Sequence, residues 1–250
     1  DLSKGGRRLL FESEFTQGKR PIPINGLIWM GNHQEMNQRI EIKLNEGYRC
    51  LKMKIGAIDK NREFELLHSI RNRFPKNALE LRVDANGAFA PDEVHAILDE
   101  LAALDVHSIE QPIAAGQPEF MAEVCATSPV PIALDEELVG IGNREELLDR
   151  IRPQHIILKP TLLGGFQNSE KWISAANRRH IGWWVTSALE SNIGLNAIAQ
   201  WTAQLDTDRP QGLGTGALFR NNFNCPLRAF GGTLEYDPSV DWDLTGLDAS

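Results

Sequence analysis

Short apolar runs and longer amphipathic stretches alternate along most of this chain. Each apolar run has the length of a strand, and each stretch after it has the apolar spacing of a helix that covers a sheet. The predicted strands are Asn25–Trp29, Arg49–Lys54, Leu79–Asp84, Val106–Glu110, Ile132–Asp135, His155–Lys159, Trp183–Ser187 and a weak last one near Gly212–Thr215. The predicted helices are at residues 34–46, 60–73, 91–104, 117–127, 143–150, 166–178 and 191–205. Strands that alternate with helices across short loops predict a parallel sheet.

This rhythm favours a closed TIM-type (β/α) barrel at residues 25–220, because eight strands leave few spare residues for an open sheet. No GxGxxG motif follows the first strand, so a dinucleotide-binding fold has little support. Residues 1–24 have mixed charge and no sustained period, and we expect a linker there. Residues 221–250 are loop-rich and acidic, and we expect a tail that packs back on the barrel. At the helix starts, Pro91 is predicted to open the third helix and Asn143 to cap the fifth.

Charged residues recur at the ends of these strands. In residues 51–54 the two lysines share one face and the apolar residues the other, because side chains along a strand alternate with a period of two. The charged positions are Lys52, Lys54, Asp84, Glu110, Asp135 and Lys159. A buried charge is costly unless it is paired or bound to a metal. Their regular recurrence therefore predicts a built site at the carboxyl ends of the strands, where the active sites of such barrels lie.

The composition of the chain limits the classes of molecule that it is expected to bind. The chain has 250 residues and a formal net charge of -8, with no cluster of basic residues, so neither nucleic acid nor an anionic membrane is an expected partner. No apolar run approaches the roughly 20 residues that span a bilayer. Cys50, Cys125 and Cys225 are far apart and form no CxxC pair, which is typical of free thiols in a reducing cytoplasm.

The acids predict a metal site. Asp84, Glu110 and Asp135 end three successive strands, and neighbouring strands lie roughly 4.8 Å apart, so the three carboxylates are expected to converge on one point. Oxygen ligands suit Mg²⁺, with Mn²⁺ as the nearest rival, and a set without His or Cys argues against zinc. The alternative for each acid taken alone is a helix cap or a loop salt bridge.

The lysines flank that point and predict proton transfer. Lys52 and Lys54 come from the strand before the acids and Lys159 from the strand after them, on opposite sides of a closed barrel. A lysine acts as a general base when its surroundings favour the neutral amine. The alternative is that the lysines bury only their aliphatic stems and keep their ammonium groups in solvent. A metal that holds a carboxylate, with a lysine base, is suited to removing the proton α to that carboxylate. We therefore expect a small-molecule carboxylate as the substrate.

Late loops supply candidate substrate contacts. Gly212, Gly214 and Thr215 follow the last strand, where backbone N–H groups can bind an anion, although ordinary turn glycines are the alternative. Ser187 ends the seventh strand and Asn86 lies just beyond a strand-end acid. Helix capping is the alternative for Ser187.

In these motifs the chain resembles the enolase superfamily, and within it the muconate-lactonizing subgroup. The shared features are Lys-Met-Lys at residues 52–54, the three acids on consecutive strands, and the lysine after the next strand. Longer segments resemble the o-succinylbenzoate synthases, and the likeness runs from about residue 8 to about residue 235. These segments are PINGLIWMG (23–31), KMKIGA (52–57), RVDANGAF (82–89), SIEQPI (108–113), ILKPTLLGGF (157–166) and SALESNIGLNAIAQW (187–201).

The resemblance implies a lyase of menaquinone biosynthesis. It would convert 2-succinyl-6-hydroxy-2,4-cyclohexadiene-1-carboxylate to 2-succinylbenzoate by syn-dehydration. Lys54 would remove the α-proton and return it to the departing hydroxide, and Lys159 would stabilise the enediolate from the other face. Lys52 would support the carboxylate, and the three acids would bind Mg²⁺. Asn86 and Glu136 would orient a ligand or a lysine.

Members of this family also carry an N-terminal α+β capping domain that closes over the substrate. The resemblance implies that this domain is largely absent from the chain and that residues 1–24 are the linker at its exit. Residues 221–250 would then pack on the barrel or on the missing capping domain, and the chain alone would have weak or no activity. Two other functions remain open. One is a racemase of N-acylamino acids or an epimerase of dipeptides, with Lys54 and Lys159 as two bases. The other is an inactive barrel that binds Mg²⁺.

Overall fold

A computed structural model describes residues 6, 8–219 and 221–245. The strands in this part are β1 (Ile22–Pro23), β2 (Gly26–Ile28), β3 (Cys50–Lys54), β4 (Glu80–Asp84), β5 (Ser108–Glu110), β6 (Ile132–Leu134), β7 (His155–Leu158), β8 (Gly182–Val185), β9 (Leu227–Phe230) and β10 (Thr233–Tyr236). The helices are α1 (His33–Asn45), α2 (Lys60–Arg73), α3 (Val94–Ala103), α4 (Pro118–Thr127), α5 (Arg144–Ile151), α6 (Phe166–Asn177) and α7 (Asn192–Thr202). None of these helices is long and apolar enough to cross a membrane.

The strands β2 to β8 form a parallel sheet in chain order, which confirms the predicted α/β architecture. Residues 211–212 join its two edges, because Gln211 forms a parallel bridge with Ile24 and Gly212 forms one with Thr186. The predicted weak last strand is therefore reduced to a short bridging segment. We number the barrel positions from β2 (position 1) to β8 (position 7), with residues 211–212 at position 8.

Alternation within the strands divides the core into two layers. Leu51, Met53 and Leu81 lie between sheet and helices and are fully buried. A separate cluster of Ala133, Ile157 and Trp184 fills the barrel interior. The period of two therefore sends apolar residues outward to the helices and leaves the interior face to the charged residues and this small cluster.

A polar cluster lies inside the barrel at the N-terminal ends of the strands. The buried guanidinium of Arg82 lies 4.2 Å from the centre of the Trp184 ring, and its Nη2 is 2.6 Å from Oε1 of Glu80. The rings of His107 and His155 stack with centroids 5.3 Å apart. Burial lowers the pKa of His155 to about 3, so its imidazole is neutral in the folded protein near neutral pH.

Most element ends lie within two residues of the predictions, but the start of α3 and the end of α7, at Thr202 instead of residue 205, each differ by three residues. Asn143 is the N-cap of α5 and accepts the backbone N–H of Glu146, as predicted. The predicted start of α3 at Pro91 is wrong, because α3 begins at Val94. The N–H of Glu93 donates to the carbonyl of Ala90 three residues back, which makes a tight turn before the regular helix.

The C-terminal segment has more order than the sequence predicted. The strands β9 and β10 form a hairpin, and β10 pairs antiparallel with β1 in a second sheet of order β1-β10-β9. Gly231 and Gly232 connect the two strands with φ angles of 61° and 84°, a left-handed turn that glycine adopts at low cost. The chain segments that precede and follow the barrel are thus joined through β1 and β10. Our domain boundaries at residues 24 and 220 stay a prediction.

Candidate active site

The predicted charged residues of β3, β4 and β5 meet inside the barrel. Lys54 is in register with Asp84, and Asp84 with Glu110. The Nζ of Lys52 lies 2.8 Å from Oδ2 of Asp84 and 2.6 Å from Oε2 of Glu110, so this ammonium bridges the two carboxylates. The Nζ of Lys54 lies 2.6 Å from the same Oδ2 of Asp84. All four side chains are at least nine-tenths buried.

Lys159 approaches from the other side of the ring. Its Nζ pairs with Oδ2 of Asp135, which follows β6. Lys159 follows β7 at position 6, whereas Lys52 and Lys54 lie on β3 at position 2. Four positions of eight separate them, so the two groups of amines face each other across the barrel, as predicted.

Charge and burial together set the protonation of these groups. Burial alone would raise the pKa of Asp84, but the ammonium groups of Lys52 and Lys54 outweigh it and hold that pKa well below its ordinary value. Burial, followed by the charge of Asp84, raises the pKa of Glu110 well above its ordinary value. Burial opposes the charged form of Lys159, yet Asp135 and Glu110 raise its pKa overall.

The donor set at this point fits a hard divalent cation, since it consists of carboxylate oxygens. Oε1 of Glu110 is buried and has no hydrogen-bond partner among the described residues, which leaves one oxygen of the set free for a further ligand. The three acids do not form a ready coordination cage, because no group of three His, Cys, Asp or Glu side chains in the described ranges has metal-binding geometry. Instead, Lys52 lies between Asp84 and Glu110, and Lys159 holds Asp135.

Asn86 forms a hydrogen bond with Lys54. It follows β4 with a left-handed φ of 46°, and its Oδ1 accepts from Nζ of Lys54 at 2.6 Å. Its Nδ2 donates to Oε1 of Glu136 at 2.9 Å, and its backbone N–H donates to Asp84. The side chain thus fixes the direction from which Lys54 enters the cavity.

Gln111 connects the ends of two acid-bearing strands, a role that sequence reasoning missed. This fully buried residue follows Glu110 with a left-handed φ of 41°. Its Oε1 accepts the backbone N–H groups of Asp135 at 3.2 Å and of Glu137 at 3.3 Å. Its Nε2 donates to the carbonyl of Ile113 at 3.0 Å. The position of Asp135 therefore depends on the amide of Gln111.

A cavity of about 270 Å³ opens above these groups at the carboxyl ends of the strands. Its wall contains the predicted substrate residues Asn86, Ser187, Gly212, Gly214 and Thr215, as well as Lys52, Lys54 and Lys159. No Asp or Glu side chain lines it within the described part of the chain. The cavity therefore presents positive charge to whatever enters, and it suits an anion.

Several lining residues were missed from the sequence, namely Asn25, Leu27, Leu162, Thr186, Ala188 and Leu189. Asn25 and Leu27 share a strand face with Trp29, whose ring lies 5.7 Å from Nζ of Lys54. The period of two along the predicted strand Asn25–Trp29 was a signal that could have found both. No comparable pattern marks Thr186 or Leu189, which lie where β8 gives way to a loop.

Several known proteins are similar to this chain in sequence. Residues 35–235 match the family described as enolase C-terminal domain-like. The chain is 56% identical over 236 residues to the o-succinylbenzoate synthase of Desulfotalea psychrophila, which covers 94% of this chain and 64% of that protein. It is 26% identical over 242 residues to the L-Ala-D/L-Glu epimerase of Bacillus subtilis, over 94% of this chain and 60% of that protein. The chain thus spans less than two thirds of the length of these curated relatives.

Solved structures agree with the fold. The crystal structure of MenC from Desulfotalea psychrophila LSv54 has a TM-score of 0.86 and 55% sequence identity, and the match covers 92% of this chain and 65% of that one. The muconate lactonizing enzyme from Pseudomonas putida has a TM-score of 0.78 at 20% identity, over 89% of this chain and 64% of that one, a likeness of fold alone. Because the family match covers most of the chain and the barrel carries the expected charged strand ends, the chain belongs to the enolase C-terminal domain-like family.

Proposed function

We propose that the chain catalyses the reaction of an o-succinylbenzoate synthase in menaquinone biosynthesis. This is the syn-dehydration of 2-succinyl-6-hydroxy-2,4-cyclohexadiene-1-carboxylate to 2-succinylbenzoate. The observation that carries the proposal is the placement of Lys54 and Lys159 across one cavity, with buried carboxylates at the barrel positions between them. The 56% identity to the synthase of Desulfotalea psychrophila supports the choice of substrate.

In this mechanism Lys54 is the base. The Lys54 ammonium must first release a proton. Its neutral Nζ, oriented by Asp84 and Asn86, then takes the proton from the ring carbon that bears the carboxylate. The electrons of that C–H bond pass into the enediolate. The new ammonium group then returns the proton to the 6-hydroxyl group, which lies on the same face of the ring, while the C–O bond breaks. Water leaves, and the ring becomes aromatic.

The remaining amines stabilise negative charge. Lys159 is held as an ammonium by Asp135 and faces the opposite side of the substrate ring, where it stabilises the enediolate. Lys52 neutralises the pair of carboxylates beneath the cavity and so keeps Asp84 oriented towards Lys54. Neither residue needs to exchange a proton with the substrate.

Asp84, Glu110 and Asp135 are the residues that would hold a divalent ion, with Mg²⁺ proposed and Mn²⁺ as its rival. When bound, that ion supplies positive charge that stabilises the enediolate. Enzymes of this superfamily generally use a divalent metal. We also propose a cytoplasmic location, which the three buried free cysteines support.

One observation favours a second function. Lys54 and Lys159 face each other, which is also the arrangement that a racemase or epimerase needs to remove a proton on one face and return it on the other. The Bacillus subtilis relative is named an L-Ala-D/L-Glu epimerase. In that reaction Lys159 is a second base, whereas in the dehydration it stays a cation.

The test offers the two substrates separately with Mg²⁺. The cyclohexadiene acid is followed by the ultraviolet absorbance of the aromatic product, and L-Ala-D-Glu by optical rotation. We expect the chain to form the aromatic product at a low rate, in line with the weak activity expected from its sequence, and we expect this product to be lost in Lys54→Ala. Lys171→Ala, an exposed lysine on α6, is the matched control. A change in the optical rotation of L-Ala-D-Glu without an aromatic product would favour the epimerase. If Lys54→Ala changes neither signal, the remaining interpretation is an inactive metal-binding barrel.

A further inference from the structure

The cavity wall has a sector with no charged side chain, on the far side from the acids. The acids lie at or directly after positions 3, 4 and 5, and the lysines at or directly after positions 2 and 6. The lining residues of positions 7, 8 and 1 are neutral. We call the polar side chains and the glycines among them the neutral sector, and they are Asn25, Thr186, Ser187, Gly212, Gly214 and Thr215. A substrate whose reacting carboxylate lies near the acids extends its far end towards this sector.

Asn25 is the polar side chain of the neutral sector that lacks a partner. It precedes β2 and is 3% exposed, yet its side chain makes no hydrogen bond to any described residue, and Oδ1 is buried. Its backbone is fixed, since its N–H donates to the carbonyl of Gln211 at 2.9 Å. A buried amide without partners destabilises a fold, and such groups call for an explanation. A half-turn of the amide presents either its NH₂ group or its oxygen to the cavity.

The hydroxyl groups of the neutral sector leave one further donor. The hydroxyl group of Thr186 donates its hydrogen to the carbonyl of Gly212 at 2.8 Å. Ser187 and Thr215 share one hydrogen bond, and Oγ of Ser187 also accepts the N–H of Leu189. One of the two hydroxyl hydrogens of this pair is used between them, so the other is free to donate into the cavity.

Glycine at position 8 keeps the neutral sector open. A Cβ on Gly212 would lie 2.4 Å from Oγ1 of Thr186, so a larger residue would push the threonine out of its bond. A Cβ on Gly214 would meet Ile24 and the carbonyl of Asn25 at ordinary contact distances. The backbone therefore comes close to Asn25 on one side, and the cavity is the open side for its amide.

We propose that Asn25 is a specificity residue that binds the remote carboxylate of a dicarboxylate substrate, with the Ser187–Thr215 hydroxyl pair as the second donor. The inference rests on the proposed function, whose substrate carries a terminal carboxylate on its succinyl chain. The amide of Asn25 donates to one carboxylate oxygen, and the free hydroxyl hydrogen donates to the other. Hydrogen bonds to an ionised acceptor are the strong ones, so this contact is expected to change affinity by roughly 10- to 100-fold.

The experiment measures binding rather than turnover, by calorimetry with Mg²⁺ present. The two ligands are 2-succinylbenzoate and 2-butanoylbenzoate, which differ by a terminal carboxylate against a methyl group. We expect the wild-type chain to prefer the dicarboxylate by roughly 10- to 100-fold, and Asn25→Leu to remove most of that preference without weakening 2-butanoylbenzoate. Asn25→Asp should bind the dicarboxylate more weakly still, because two carboxylates then meet.

Leu27→Ala is the matched control, because Leu27 lies on the same strand face and lines the same cavity. It is expected to change both affinities by a similar factor. Asn25→Ala serves if the leucine variant fails to fold by circular dichroism. A ratio of affinities that stays at the wild-type value in the Asn25 variants overturns the inference, as does a wild-type chain that binds both ligands equally or neither. A chain that makes no aromatic product but loses its preference in Asn25→Leu refutes the proposed function and leaves this inference standing.

Discussion

Replacing Gln111 by alanine is expected to lower the free energy of unfolding by about 3–5 kcal/mol. The side chain is fully buried and makes no contact with solvent. Alanine would leave the backbone N–H groups of Asp135 and Glu137 and the carbonyl of Ile113 without their partner. Each unsatisfied buried group costs about 1–3 kcal/mol, and water that enters the new cavity recovers part of the sum.

The assay is a urea titration followed by circular dichroism, with the slope compared between variants. Gln111→Met keeps a similar volume but accepts no backbone N–H, so it is expected to lose about as much as the alanine variant. Gln117→Ala is the matched control. Its amide donates to the carbonyl of Ala114 at the surface, and a change within about 0.5 kcal/mol is expected. A methionine variant with wild-type stability would show that volume, and not hydrogen bonding, holds this position.

Three further predictions concern the barrel and its loops. Gly182→Ala should cost about 1–3 kcal/mol in the same titration, because an added Cβ would lie 2.3 Å from Nδ1 of His155; Gly142→Ala, with open space around its Cβ, should cost less than about 0.5 kcal/mol. Burial lowers the pKa of His155 to about 3, so below about pH 6.5 the unfolded chain binds more protons and stability falls as the pH drops towards 3. His155→Gln should flatten that dependence, and an unchanged slope would contradict it. Glu63 is buried, and its carboxylate accepts three backbone N–H groups of the loop after β3. Glu63→Ala should therefore speed hydrogen exchange of the amides in that loop. Unchanged exchange would show that other contacts hold the loop.

The strand ends could be predicted because two local rules agree there. Apolar alternation fixes which face of β3 is polar, and the order of strands in a parallel sheet brings Asp84 and Glu110 side by side. The pairing of the charges could not be predicted, because it depends on register and side-chain reach. Lys52 was expected to flank a metal, but its ammonium lies between the two carboxylates.

Other misses have identifiable causes. The turn residues Gly231 and Gly232, between runs of strand-forming residues, are a hairpin signal that was present in the sequence. The partner of that hairpin is β1, and roughly two hundred residues of chain separate them, so no local pattern predicts the pairing. The start of α3 was misplaced because proline suits both the first turn of a helix and a tight turn before it.

The two candidate reactions differ in the role of Lys159 and in the part of the barrel wall that receives the far end of the substrate. Both begin by removing a proton beside a carboxylate, so both need Lys54 and the carboxylates at positions 3 to 5. In our proposal the neutral sector at positions 7, 8 and 1 takes no part in that proton transfer and receives the far end of the substrate, since its residues line the same cavity. Selection between a succinyl acid and a dipeptide therefore falls to residues such as Asn25. Substitution there should change the order of preferred substrates, while exchange of the α-proton with deuterated solvent continues to depend on Lys54.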